Sequence, residues 1–138
     1  MVISAGLLII HDNKILLVHP TNAPWYGTFS IPKGEVEEGE ELITAAFREA
    51  EEELGIDIRK CENSICLEPQ WVEYRKKSGG APYKKVAYFV VWIYEELHPD
   101  IFKLQKEEVD WAGFLEKQEA EKRISPRLKE ILNHLITK

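Results

Sequence analysis

The stretch that most constrains this chain is residues 34–56, GEVEEGEELITAAFREAEEELGI, which joins a strong helical pattern to a charge arrangement that an isolated helix disfavours. Leu42, Ile43, Ala45, Ala46, Phe47, Ala50 and Leu54 recur at i, i+3 and i+4, and Gly55 stands where a C-terminal cap belongs. The spacing predicts a helix that ends just before Gly55. Its last two turns nevertheless carry Glu49, Glu51, Glu52 and Glu53. Carboxylates there face the negative end of the helix dipole and repel one another, each effect costing about a few tenths of a kcal/mol. At about 100° per residue, Glu49, Glu52 and Glu53 share one arc while Glu51 points elsewhere. Converging carboxylates suit a hard divalent cation, and Mg²⁺ takes one or two of them while keeping water and phosphate oxygens in its other positions. A solvated acidic face would have the same composition, so the residues ahead of the helix decide between the two.

Around this stretch the chain reads as strands. Residues 3–10 and 14–19 are apolar, β-rich runs parted by His11, Asp12 and Asn13, a hairpin pattern. Prolines and Gly27 then mark a loop with a short strand at 28–31 that Pro32 ends, and a second loop over 33–39 leads into the helix. Further strands are predicted at 64–74, at 84–95 and at 109–114. The middle one is nearly continuous in β-formers, as a strand buried on both faces would be. A basic, turn-rich loop, RKKSGGAPYKK, precedes that middle strand. The end is helical, with Ser125 as N-cap, Pro126 in the first helical position, and Leu128, Ile131, Leu132, Leu135 and Ile136 as one apolar core stripe. Strands on either side of a helix with a second helix at the end imply an α/β fold, a mixed sheet covered on both faces.

A length of 138 residues fits one domain spanning 1–138, able to bury a core without disulfides. The formal charge of −6 argues against sequence-independent binding to long nucleic acid, yet leaves room for a small phosphorylated ligand neutralised by metal. Cys61 and Cys66 match neither a redox nor a zinc spacing and are read as reduced thiols. The apolar run near the N-terminus is too short to span a bilayer and has no basic flank, so the cytoplasm is the default location and no membrane partner is expected.

Read with its spacing, Gly34, five residues, Glu40, seven residues, then Arg48-Glu49-Ala50-Glu51-Glu52-Glu53-Leu54-Gly55-Ile56, the stretch resembles the Nudix box, G-x5-E-x7-R-E-U-x-E-E-x-G-U with U aliphatic, at every specified position. The resemblance implies an α/β/α sandwich and the hydrolysis of a nucleoside diphosphate linked to another group, with water attacking phosphorus in the presence of Mg²⁺ or Mn²⁺. It makes Glu52 and Glu53 the principal metal ligands, joined by Glu49 and by the backbone carbonyl of Lys33. Such ions lower the pKa of a bound water and offset charge on phosphate oxygens. Arg48 would aim a box carboxylate, although an ordinary i to i+4 pair with Glu52 has the same spacing. Glu40 is expected to support rather than ligate. Gly34 and Gly39 would let the loop turn tightly beside the metal, and Gly55 would cap the helix. For the general base the family offers two sources. One is Glu49; the other is a glutamate before a late strand, here Glu107 or Glu108 ahead of Trp111.

The variant IPKGEVEEGE, with Lys33 where many relatives have glycine, resembles the branch of diadenosine tetraphosphate and diphosphoinositol polyphosphate hydrolases. That branch often has a glutamate six residues before the tryptophan, where this chain has Gln105. A dinucleoside polyphosphate such as diadenosine tetraphosphate is the favoured substrate. A nucleoside triphosphate pyrophosphatase, an RNA 5′ pyrophosphohydrolase and a non-catalytic nucleotide sensor are the alternatives. Base recognition needs an aromatic platform, for which Tyr26, Tyr74 and Tyr83 are candidates, while Trp25, Trp71 and Trp92 read as core or strand-face residues. Lys84 and Lys85, with Lys76 and Lys77, are candidates for the polyphosphate tail.

Overall fold

The computed structural model describes residues 1–136, with side chains through Asn133. The strands are β1 (Val2–His11), β2 (Lys14–Pro20), β3 (Lys33–Glu35), β4 (Asn63–Tyr74), β5 (Lys84–Ile93) and β6 (Val109–Leu115); the helices are α1 (Leu42–Leu54), α2 (Lys117–Arg123) and α3 (Lys129–Ile136). They form one mixed sheet in the order β4-β5-β1-β2-β6, with β3 pairing β1. Among the described residues only the β1–β5 strand pair is parallel. Alternate residues of β5 feed two cores. Ala87, Phe89, Val91 and Ile93 pack with Ala46, Phe47, Ala50 and Leu54 of α1, whereas Val86, Tyr88 and Val90 pack with Ala120, Ile131 and Leu132 of α2 and α3. The expected sandwich, with its strand buried on both faces, is therefore present.

The feature that makes room for a site is a split in the sheet. Asp12 and Asn13, with φ of 55° and 62°, close the β1–β2 hairpin in the left-handed pair of conformations that suits strand twist. The two strands then pair only at Ile10↔Ile15 and His11↔Lys14 before β2 leaves to pair with β6. β3 takes the vacated edge of β1 through Ser4↔Glu35, Ala5↔Gly34 and Gly6↔Lys33. Residues 28–31 do not form the strand that the sequence predicts; Phe29 and Ser30 make single bridges to Ile124 and Val18. The strand lies beyond Pro32 instead. Proline has no N–H for a ladder but tolerates a strand entrance, and its carbonyl accepts from the Leu7 N–H at 3.0 Å.

The C-terminal region departs further. α2, KQEAEKR, escapes periodicity because it buries only Ala120. Pro126–Leu128 is a 3-10 turn, so α3 starts at Lys129 and the Ser125 side chain makes no cap hydrogen bond. Leu128, Ile131 and Leu132 are buried as the stripe requires, while the side chains of Leu135 and Ile136 lie outside the described residues. Cys61 and Cys66 are free thiols. Among the described residues no helix is long and apolar enough to cross a membrane.

Candidate active site

The acidic end of α1 stops at Gly55, whose φ of 76° is the left-handed cap and whose N–H donates to Glu51 O at 2.8 Å. Two further carbonyls at that end are met by a distant segment: Lys103 N–H donates to Leu54 O at 2.7 Å and Gln105 N–H to Glu53 O at 3.2 Å. A Cβ on Gly55 would stand 2.5 Å from Lys103 O, so glycine also permits this close approach. The capping contacts bring the stretch before β6 against the helix. Glu108 arrives with it.

The three box carboxylates grade from buried to open. Glu53 is 6% exposed, and its Oε2 accepts from the Lys33 N–H at 2.9 Å. The Glu49 carboxylate lies over Gly34, where any Cβ would collide with it. Gly34 thus serves a close approach rather than a turn, since it sits in β3, while Gly39, at φ 79°, is the turn residue. Glu52 is half exposed. Arg48 ties the rim together. Its Nε and Nη2 donate to Glu40 at 2.8 and 2.9 Å, its Nη1 to Glu49 at 2.9 Å and to Glu52 at 3.1 Å, and its Nη2 also to Glu35 O at 3.0 Å. The reach goes well beyond an i to i+4 pair. Glu40 further accepts from the Glu37 N–H at 3.0 Å, which makes it a brace of the loop.

The electrostatics divide the carboxylates accordingly. Hydrogen bonds from Arg48 hold Glu40 at about 2, far below an ordinary carboxylate. Burial pushes Glu53 up to about 8, with the charges of Glu49 and Glu108 adding and that of Lys33 opposing. Burial also raises Glu49, helped by Glu52 and Glu108 and opposed by Arg48. The Lys33 amine is lowered by burial and by the charge of Lys84, against Glu53 and Glu49. Glu53, Lys33 and Glu108 line one cleft of about 190 Å³ with Val18, Ser30 and Val109. Glu107 does not line it. The structure therefore separates two candidates that are adjacent in sequence.

This donor set suits a divalent ion: hard carboxylate oxygens whose mutual repulsion and burial leave negative charge poorly compensated. Glu53, Glu49, Glu52 and the Lys33 carbonyl would hold it. Among the described residues no three side chains already enclose a common point. Glu49 and Glu52 are turned to Arg48, and Glu53 to a backbone amide.

The proposed substrate residues part company. Tyr74 is flanked by Lys84 Nζ at 5.7 Å and the Arg127 guanidinium at 5.5 Å, and the Tyr83 N–H donates to Tyr74 O at 2.9 Å. Lys85, on the opposite face of β5, lies over Trp71 at 5.6 Å, away from this group. Sequence reasoning missed Arg127, which no periodicity marks. It missed Tyr88 too, a fully buried ring that crosses β1 over Gly6, where a Cβ would stand 2.7 Å from it. The Tyr88 hydroxyl is without a hydrogen bond, the Tyr74 phenol lying near it without bonding geometry. Trp25, at 50% exposure in a loop, is neither a core nor a strand-face residue, whereas Trp71, at 47%, is a strand-face residue of β4. A larger cleft of about 460 Å³, lined by Trp71, Arg75, Arg127 and Glu130 at the β4 edge, shares no lining residue with the carboxylates.

Comparison with known proteins agrees with this geometry. The family model described as NUDIX domain matches residues 2–135. The structure is similar to a Caenorhabditis elegans Ap4A hydrolase in a binary complex, with a TM-score of 0.75 and 27% identity over 96% of this chain and 93% of that one. Among curated sequences, an ADP-ribose pyrophosphatase of Methanocaldococcus jannaschii is 47% identical over 49 residues, 36% of this chain and 29% of that protein. The low-salt glycan biosynthesis protein Agl8 of Haloferax volcanii is 39% identical over 56 residues, 41% of this chain and 36% of that protein. These matches span about a third of the length of the curated relatives.

Proposed function

The chain belongs to the NUDIX family, and from that premise we propose that it is a divalent-metal-dependent pyrophosphohydrolase that cleaves a nucleoside diphosphate linked to another group, with a dinucleoside polyphosphate favoured. The observation that carries this reading is the joining of Glu53, Glu108 and Lys33 in one cleft at the end of the box helix. Mg²⁺ or Mn²⁺, held by Glu53, Glu49, Glu52 and the Lys33 carbonyl, would supply charge neutralisation on the phosphate oxygens and acidify water. Glu108, which lines the cleft, would take a proton from water as it attacks phosphorus, while the bridging phosphoanhydride bond breaks and its oxygen leaves on the other phosphate. Lys33 and Lys84 would attract the phosphate chain, and Tyr74 with Tyr83 would carry a base.

The preference for a dinucleoside polyphosphate rests on the Lys33 variant of the box and on likeness to the nematode Ap4A hydrolase. A nucleotide sensor without activity has no need of a bidentate Arg48–Glu40 brace behind carboxylates raised by burial. Incubation with diadenosine tetraphosphate, ADP-ribose, nucleoside triphosphates, inositol pyrophosphates and triphosphorylated RNA, with and without Mg²⁺, tests the proposal. Metal-dependent release of a nucleotide from the first is the expected result. No turnover of any member would remove the enzyme reading, and preference for another member would replace the substrate.

A further inference from the structure

A second polar group lies behind the cleft, and the roles above leave it unused. His19, at 1% exposure, sits at the last residue of β2 before the pairing with β6 slips. His19 pairs with Trp111 and Pro20 with Val109, so Asp110 is the extra residue of a bulge. Bulges re-aim side chains. Here the Asp110 carboxylate meets His19 Nδ1 at 2.5 Å. The other ring nitrogen, Nε2, lies 3.1 Å from Pro24 O, which can only accept, so Nε2 carries a proton. The Thr28 hydroxyl donates to the same carbonyl. The face of the imidazole stacks on Trp25, with centroids 4.0 Å apart and planes within 12°.

One buried ring thus joins two segments that border the site. Through Asp110 it grips the strand end that presents Glu108, two residues away. Through Pro24 and Trp25 it grips the loop whose ends, Pro20 and Ser30, line the cleft. Thr21 closes the same circuit: its N–H donates to Glu108 O at 3.0 Å and its hydroxyl to Lys106 O at 2.7 Å.

Resting on the reaction proposed above, we propose that His19 is a positioning residue, which through Asp110 fixes Glu108 for proton transfer and through Pro24 fixes the Trp25 loop for substrate binding. The two arms separate by substitution. The amide nitrogen of Gln reaches near the place of Nε2, and that of Asn near the place of Nδ1. With diadenosine tetraphosphate and Mg²⁺, His19→Gln should keep the loop and lower kcat on the order of tenfold or more, with KM little changed. His19→Asn should keep Asp110 and raise KM instead. Asp110→Ala, which removes the acceptor at a partly exposed position, should reproduce the kcat loss of His19→Gln. Amide hydrogen exchange supplies a readout independent of turnover. Faster exchange is expected at 106–110 in His19→Gln and Asp110→Ala, and at 21–28 in His19→Asn. Exchange rising evenly over β2 and β6 in all three, with no separation of kcat from KM, would show a merely structural histidine and overturn the proposal. If the wild-type protein turned over no diadenosine tetraphosphate, the reaction would fall while the exchange pattern still decided whether His19 holds two separate segments.

Discussion

The two sides of the proposed site, of which Glu53 and Glu108 line the cleft itself, are assembled by opposite means. On the helix wall, Glu49, Glu52 and Glu53 are neighbours in sequence, and helix geometry alone brings them to one side. Arg48 and Glu40, within the same short stretch, brace them at 2.8 to 3.1 Å. On the facing wall, Glu108 gains its place from contacts made far along the chain: Gln105 on the Glu53 carbonyl, Thr21 on Glu108 O, and a bulge at Asp110 anchored on His19. The first wall is a local motif and the second a product of topology. On the proposed reading, such a site would hold its metal ligands by spacing and its proton acceptor by the fold.

The sharpest way to break that comparison is to remove charge from each wall in turn. Glu53→Gln keeps the shape of a buried side chain and should lower turnover by more than the roughly 10- to 100-fold that loss of an outer-shell partner costs at metal sites. Steady-state kinetics with a fixed Mg²⁺ concentration measures it, and near wild-type activity would remove Glu53 from the ligand set. Glu108→Gln should cost roughly 10²-fold in kcat, at the lower end of general-base contributions. Glu107→Gln, one residue away but outside the cleft, should stay within about twofold, the size of change expected where no contact to the reaction is lost. If the two neighbours behaved alike, the facing wall would have no catalytic identity.

The brace behind the helix wall gives a smaller effect. Glu40→Gln leaves Arg48 without its bidentate partner and should weaken metal affinity roughly 10-fold, the lower end for a supporting residue, with the fold retained. Metal titration followed by turnover checks it. An unchanged affinity would make Glu40 a loop brace alone.

Smallest of all are the pH effects on stability, and within the helix wall the buried Glu53 and the brace Glu40 should show opposite signs. Glu40 is held at about 2 against 4.5 unperturbed, so the folded state binds fewer protons than the unfolded one between those values. Its contribution is complete above about pH 4.5 and is lost as pH falls toward 2. Glu53 is raised to about 8, so the folded state binds more protons between 4.5 and 8, and its contribution falls as pH rises through that window. Thermal unfolding of the wild-type protein, Glu40→Gln and Glu53→Gln across pH 3 to 9 in chelator should show the two slopes separately. Mg²⁺ should restore stability at the alkaline end, because it favours the ionised carboxylate. A Glu53→Gln curve parallel to the wild type from 4.5 to 8 would contradict the burial argument.

The same contrast explains what was legible in the sequence. Every residue of the helix wall could be placed from i, i+3 and i+4 spacing and from a cap glycine, and α1 ends where Gly55 says it should. The sandwich and the strand buried on both faces followed from long apolar runs. Signals of one or two residues mislead. Pro32 opens a strand instead of ending one, because β3 fills an edge of β1 that only the splayed hairpin vacates. α2 shows no stripe because a single alanine does its packing. Glu107 and Glu108 are indistinguishable without the Gln105 and Thr21 contacts that orient the loop. Trp25 could not be told from a core tryptophan until its stacking partner, six residues before it in the sequence, was seen to be a buried histidine.

One paired measurement tests the central claim that the helix wall holds the metal and the facing wall moves the proton: calorimetric titration of Mn²⁺ into the wild-type protein, Glu53→Gln and Glu108→Gln, with turnover of diadenosine tetraphosphate followed on the same samples. The account predicts that Glu53→Gln loses both metal binding and turnover, whereas Glu108→Gln binds Mn²⁺ as the wild type does and loses turnover alone. Equal loss of metal by both variants, or turnover surviving in Glu53→Gln, would contradict it.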